Sequence, residues 1–289
     1  MATFLSRWYR VDSTGDQAAA LDMIRREEAA YHLVVADVRP PGGEGFDFCS
    51  RAGSITPGLR FLLTSTVRID DFFPQLRRSQ ILNVFVKTAP FLFDEFLTAV
   101  ENLLFPHRAP GLKRYLREPM TLHHQTVLSR DDRDRVCDET LRFLRRYRQH
   151  DTEIAEIRLA FEEMVNNALY HGFRDRATGG EKYKAHTFKR LEGDEQVIVE
   201  YGCDTTYLGL SVSDNHGSLD AATVMGKLER QISMEGIFDE NGRGLHLTRS
   251  LSDRMVINLR PGKLCQIVLL FARKPLNQFK PLHINAIPE

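Results

Sequence analysis

The chain has 289 residues, 42% hydrophobic and 27% charged, enough for one large domain or two ordinary ones with packed cores. Lysine plus arginine equals aspartate plus glutamate at 39 each, so no global field draws the protein toward nucleic acid or anionic lipid. No run approaches the roughly 18 apolar residues of a membrane span, the first residues lack the apolar core of a signal peptide, and Cys49, Cys137, Cys203 and Cys265 form no CxxC pair. The expectation is a reduced cytoplasmic protein with no membrane segment and no direct nucleic-acid partner.

In chain order, LVVADV (33–38), FLLTST (61–66) and ILNVFV (81–86) are short apolar runs bounded by Pro, Gly or Asn, as strands buried on both faces of a parallel sheet are. DQAAALDMIRREEA (16–29) and FLFDEFLTAVENLLF (91–105) have helical spacing, so residues 1–105 read as a βαβ-type domain. Residues 106–119, PHRAPGLKRYLREP, show neither helical nor strand period and are expected to link two domains. Beyond them a strand is predicted over 121–129, a helix over 130–149 and a second helix from Thr152 to Gly172. Further strands are predicted over 196–202, 207–214, 254–260 and 265–272, which leaves 274–289 as a tail.

Three features of residues 120–273 carry chemistry. Glu163, Asn167 and His171 are four residues apart on the second helix, which places them on one face. The strand 207–214 ends in Asp214, with Gly217 in the turn that follows. Gly242 and Gly244 flank Arg243 at the start of the last helix, where glycines let backbone N–H groups approach an anion. Each feature alone is common. In this order they resemble the nucleotide-binding boxes of the GHKL (Bergerat-fold) ATPases, and most of all the anti-sigma-factor serine kinases, through Glu163-Asn167-His171 and Gly242-Arg243-Gly244-Leu245.

The resemblance implies an α/β sandwich of the GHKL type over 120–273. It implies that Asn167 binds the Mg²⁺ that bridges the phosphates of ATP and that Glu163 is the general base. Asp214 would take the adenine amino group, with His171, Gly217 and Leu245 also in the ATP site. Gly242, Arg243 and Gly244 would bound a lid formed by 221–240. The implied activity is transfer of the γ-phosphate to a Ser or Thr of an antagonist protein. A sigma factor or analogous target would switch partners, and the protein would be a homodimer. A non-catalytic module that binds nucleotide or protein is the alternative. A histidine kinase fits less well, because His123 and His124 fall in a predicted strand and not on a helical hairpin. The family's Gly two residues after the Asp is His216 here, which would add bulk beside the adenine pocket, and Cys265 stands where a Thr is frequent.

In the first domain, Asp37 ends a predicted strand, Pro41 and Gly45 follow at four and eight residues, and Thr64 and Lys87 end the next two strands. This spacing resembles the phosphoacceptor loop of response-regulator receivers, which implies a flavodoxin-like parallel sheet. The acidic pair that holds Mg²⁺ in receivers, with its first βα unit, has no counterpart in this sequence, so the expectation is either a degenerate receiver used for docking or a truncated start.

Overall fold

The computed structural model describes residues 1–26, 31–38, 44–147, 151–175, 178–232, 243–274 and 279–288. Its contacts cluster into two compact units, Met1–Pro106 with Gln278–His283, and His107–Asn277 with Ile284–Glu289.

The first unit is built from α1 (Ala2–Leu5), α2 (Gln17–Arg25), β1 (Leu33–Asp37), α3 (Glu44–Ile55), β2 (Arg60–Ser65), α4 (Phe73–Arg78), β3 (Asn83–Val86) and α5 (Phe93–Leu104). Asp16 starts α2 by accepting the Ala18 and Ala19 amides, two of the donors a helix start leaves unpaired. The three strands run parallel, β2 between β1 and β3, with Asp37 opposite Thr64 and Ser65 opposite Val86. Parallel strands need cover on both faces, and Leu62 and Phe85 are buried with Phe96, Ala99 and Val100 of α5. Leu282 and His283 add an antiparallel pairing to Val84 and Asn83. The stretch expected to be a tail thus contains a strand, whose period-2 apolar residues Leu282 and Ile284 are buried.

The second unit contains β4 (Thr121–Val127), α6 (Arg130–Leu144), α7 (Asp151–Asn166), a π-helical turn (Asn167–His171), β5 (Val197–Cys203), β6 (Tyr207–Asp214), α8 (Ala221–Ile232), α9 (Arg243–Leu251), β7 (Arg254–Arg260) and β8 (Leu264–Ala272). Its strands are antiparallel in the order β7-β8-β6-β5-β4. Alternation divides the sheet residues between its two faces. On β8, Cys265 and Ile267 turn toward the helices, whereas Gln266, Val268 and Leu270 turn to the other face.

That other face is covered by residues 109–120, all but the last of which belong to the stretch 106–119 expected to be a linker. Leu112 and Leu116 are buried against Tyr207, Val256, Val268 and Leu270. Gly209 leaves the room Leu112 fills, since a Cβ there would lie 2.7 Å from Leu112 Cδ1. The Gly111 amide donates to Gln266 Oε1 at 3.0 Å, and the Leu112 amide to Glu200 Oε2 at 2.9 Å. Asn258 Nδ2 donates to the Ala109 carbonyl at 3.2 Å and to Gln266 Oε1 at 2.8 Å. These buried polar partners hold the segment on the sheet. Among the described residues no helix is long and apolar enough to cross a membrane.

Candidate functional site

One cavity of the second unit gathers chemistry-bearing side chains from α7, the π-turn, β6, α8, α9 and β8. Its polar lining includes Glu163, Asn167, His171, Asp214, Ser218 and Lys227. Met164, Ala168, Val212, Leu245 and Ile267 give it apolar walls, and Cys265 forms part of the floor.

The second helix is not continuous. α7 ends at Asn166, and a π-turn carries Asn167 to His171, a wider turn that recurs at functional sites. Glu163 and Asn167 stay together across it, Asn167 Nδ2 lying 3.5 Å from Glu163 Oε1. His171 Nδ1 lies 2.6 Å from Glu181 Oε1, and its carbonyl accepts Ser218 Oγ at 3.0 Å. The residues after the π-turn are therefore tied to the turn after β6.

Asp214 ends β6 directly opposite Cys265 of β8. Its Oδ1 accepts the His216 amide at 3.0 Å and the Gly217 amide at 2.8 Å. The other oxygen faces Gly172, where a Cβ would lie 3.1 Å from Oδ2. Burial pushes the Asp214 carboxyl up to about 6 against the downward pull of the two amides. Gly217 shapes this turn without lining the cavity. It has φ +62°, and a Cβ on it would lie 2.4 Å from the Arg260 carbonyl. His216 does not crowd the cavity, because its ring packs against Phe173 at 5.8 Å between centroids. Burial raises the Cys265 thiol well above its ordinary value.

α9 closes the cavity on the side of Glu163. A Cβ at Gly244 would fall 2.0 Å from Glu163 Oε1, so the glycine backbone rests on the carboxylate. Leu245 is buried beside it. Gly242 and the Arg243 side chain lie outside the described residues, as do 233–240 of the expected lid; the rest of that segment, from Ala221 to Ile232, is α8.

Lys227 of α8 was not singled out in the sequence. Desolvation in the cavity lowers its ammonium from the ordinary value, and Arg174 and Arg230 lower it further. Val224, Met225 and Leu228 of the same helix are buried, and a lysine among them carries no sequence signal of its own.

In the first unit, Asp37, Thr64 and Lys87 meet at the carboxyl ends of β1, β2 and β3. Asp37 Oδ1 accepts Lys87 Nζ at 2.6 Å and Thr64 Oγ1 at 3.1 Å. Among the described residues no three His, Cys, Asp or Glu side chains are placed to share a metal ion.

No curated protein matches the chain. The solved response regulator DrrB of Thermotoga maritima, an OmpR/PhoB homologue, is similar at 22% identity and a TM-score of 0.30. The likeness covers 37% of this chain and 46% of that one, so the chain spans less than half of that protein. Residues 129–270, which hold every side chain lining the cavity of the second unit, match the family model described as the histidine kinase-like ATPase domain.

Proposed function

We propose that residues 120–273 bind Mg-ATP in the cavity between α7 and α9 and transfer its γ-phosphate to a Ser or Thr hydroxyl of an antagonist protein. The observation that carries this reading is the convergence of Glu163, Asn167 and Asp214 on one apolar-walled cavity. A buried carboxylate oxygen suits an exocyclic amino group, and apolar walls suit a purine. The Asn167 carbonyl is an oxygen ligand suited to Mg²⁺, which when bound neutralises phosphate charge. Lys227 places a cation in the same cavity.

Glu163 then takes the proton of the acceptor hydroxyl. The freed oxygen bonds to the γ-phosphorus as the bond to the β-phosphate oxygen breaks, and ADP leaves. The cavity, at about 80 Å³, is smaller than the few hundred Å³ of an ordinary ligand site. Nucleotide binding therefore requires the cavity to open.

The same closure supports the second reading, a sequestering module that holds its partner without turnover. In either case the partners are an antagonist protein and a sigma factor or analogous target, the protein acts as a homodimer, and the first unit serves as a docking module. The readings separate on incubation with γ-labelled Mg-ATP and a candidate antagonist. Label on a Ser or Thr of the antagonist supports the kinase; ATP left intact with every partner supports the sequestering module.

A further inference from the structure

A half-buried lysine reaches the cavity of the second unit without a counter-charge. Lys227 belongs to α8, and it lines the cavity together with Asp214 and Cys265. Among the described residues its ammonium makes no hydrogen bond and no ion pair. Other partly buried lysines of the chain are paired: Lys87 donates to Asp37 Oδ1 at 2.6 Å and Lys182 to Glu195 Oε1 at 2.8 Å.

Taking an ammonium out of water without a partner is unfavourable for the folded chain. The surroundings of Lys227 add to that cost. Arg174 and Arg230 oppose its charge, while Glu181, which favours it, is engaged by His171 Nδ1 at 2.6 Å. The two carboxylates that line the cavity are held elsewhere. Asp214 Oδ1 accepts the His216 and Gly217 amides. Glu163 lies under Gly244, with Asn167 Nδ2 at 3.5 Å.

An anion that enters the cavity would supply the missing counter-charge. α8 packs on α9, whose start rests on Glu163, so Lys227, Gly244 and Asn167 border one space. The base and ribose of a nucleotide are neutral. Its phosphate chain alone is anionic, and in ATP it carries more negative charge than one Mg²⁺ neutralises.

We propose that Lys227 binds the phosphate chain of the nucleotide, its ammonium donating to a phosphate oxygen. The phosphate in turn provides the counter-charge that no described residue gives Lys227. Arg174 and Arg230 act from further off, raising the positive potential around the same point. The inference rests on the Mg-ATP reading of the cavity and adds to it a residue outside the Glu163-Asn167 and Gly242–Gly244 segments.

This role differs from a structural one in what loss of the charge should do. It should weaken the nucleotides that carry phosphate, spare the nucleoside, and leave the fold at least as stable, because an unpaired cation is a cost to it.

The test titrates the full chain with adenosine, ADP and ATP in the presence of Mg²⁺. The wild type is compared with Lys227→Met, which keeps the length of the stem and removes the charge. ATP and ADP should bind the variant at least about tenfold more weakly, the loss expected when a hydrogen bond to a charged group is removed. Adenosine should bind both proteins alike. Urea unfolding without nucleotide should find the variant no less stable than the wild type. Equal ATP affinity in the two proteins overturns the inference and leaves the Mg-ATP reading standing. An equal loss of adenosine and ATP overturns it too, because Lys227 would then act at the base. So does a variant that loses stability together with affinity, because the lysine would then be structural. If the wild type binds neither ATP nor ADP, the reading of the cavity fails and the inference fails with it.

Discussion

Gly244 rests on the carboxylate of Glu163: a Cβ at residue 244 would fall 2.0 Å from Oε1 and 2.6 Å from Cδ. The contact joins the two segments that carry the chemistry, α7 and the glycine-bounded start of α9. It explains the glycine sterically, without invoking backbone conformation.

Gly244→Ala should therefore destabilise the C-terminal unit by about 1–3 kcal/mol, the usual cost of forcing an extra carbon into a packed site. The clash is with one carboxylate, so Glu163→Ala should relieve most of it. A double-mutant cycle in urea is expected to show strong coupling between the two positions. Additive effects would show that α9 accommodates the methyl group without involving Glu163.

Asp214 should make folding stability depend on pH in an unusual direction. Burial raises its folded-state value to about 6 from an ordinary carboxyl value of 3.8. Ionising it in the folded state is unfavourable, so its contribution is most favourable below the unfolded value and is lost as pH rises through about 6. A difference of this size corresponds to at most roughly 3 kcal/mol. Asp214→Asn should gain stability relative to wild type as pH rises across that window, measured by urea unfolding at each pH. A flat difference would mean that burial does not govern this carboxyl.

Glu163→Gln keeps size and polarity while removing the proton acceptor. Turnover should fall by roughly 10²- to 10⁴-fold with nucleotide affinity nearly unchanged. A structural role alone would shift thermal stability and leave phosphotransfer intact.

Asp37 should be a poor phosphoacceptor. Its Oδ1 is held by Lys87 and Thr64, and among the described residues no metal-binding cluster accompanies it. Without a metal little neutralises charge on a transferring phosphoryl group. Mass spectrometry after acetyl phosphate and Mg²⁺ should find Asp37 unmodified; a Mg²⁺-dependent adduct there would contradict this.

Much of this was legible in local pattern. The apolar runs at 33–38, 61–66 and 81–86 read as parallel strands, and residues ending such strands must converge, as Asp37, Thr64 and Lys87 do. Glu163, Asn167 and Asp214 were legible through motif order. The π-turn was not, because helical periodicity does not register one wider turn among regular ones. The packing of 109–120 was also hidden, since its hydrogen-bond partners Glu200, Asn258 and Gln266 lie far along the chain. Lys227 was missed because one lysine on an amphipathic helix reads as solvated until its cavity is seen.

The central claim is that Asn167 and Asp214 build a Mg-ATP site. Calorimetric titration of the wild type with Mg-ATP should show saturable binding, one nucleotide per chain. Asp214→Ala, which removes a buried acceptor, should weaken it by roughly ten- to a hundredfold, and Asn167→Ala should abolish its dependence on Mg²⁺. No binding by wild type, or unchanged binding in both variants, would contradict the account.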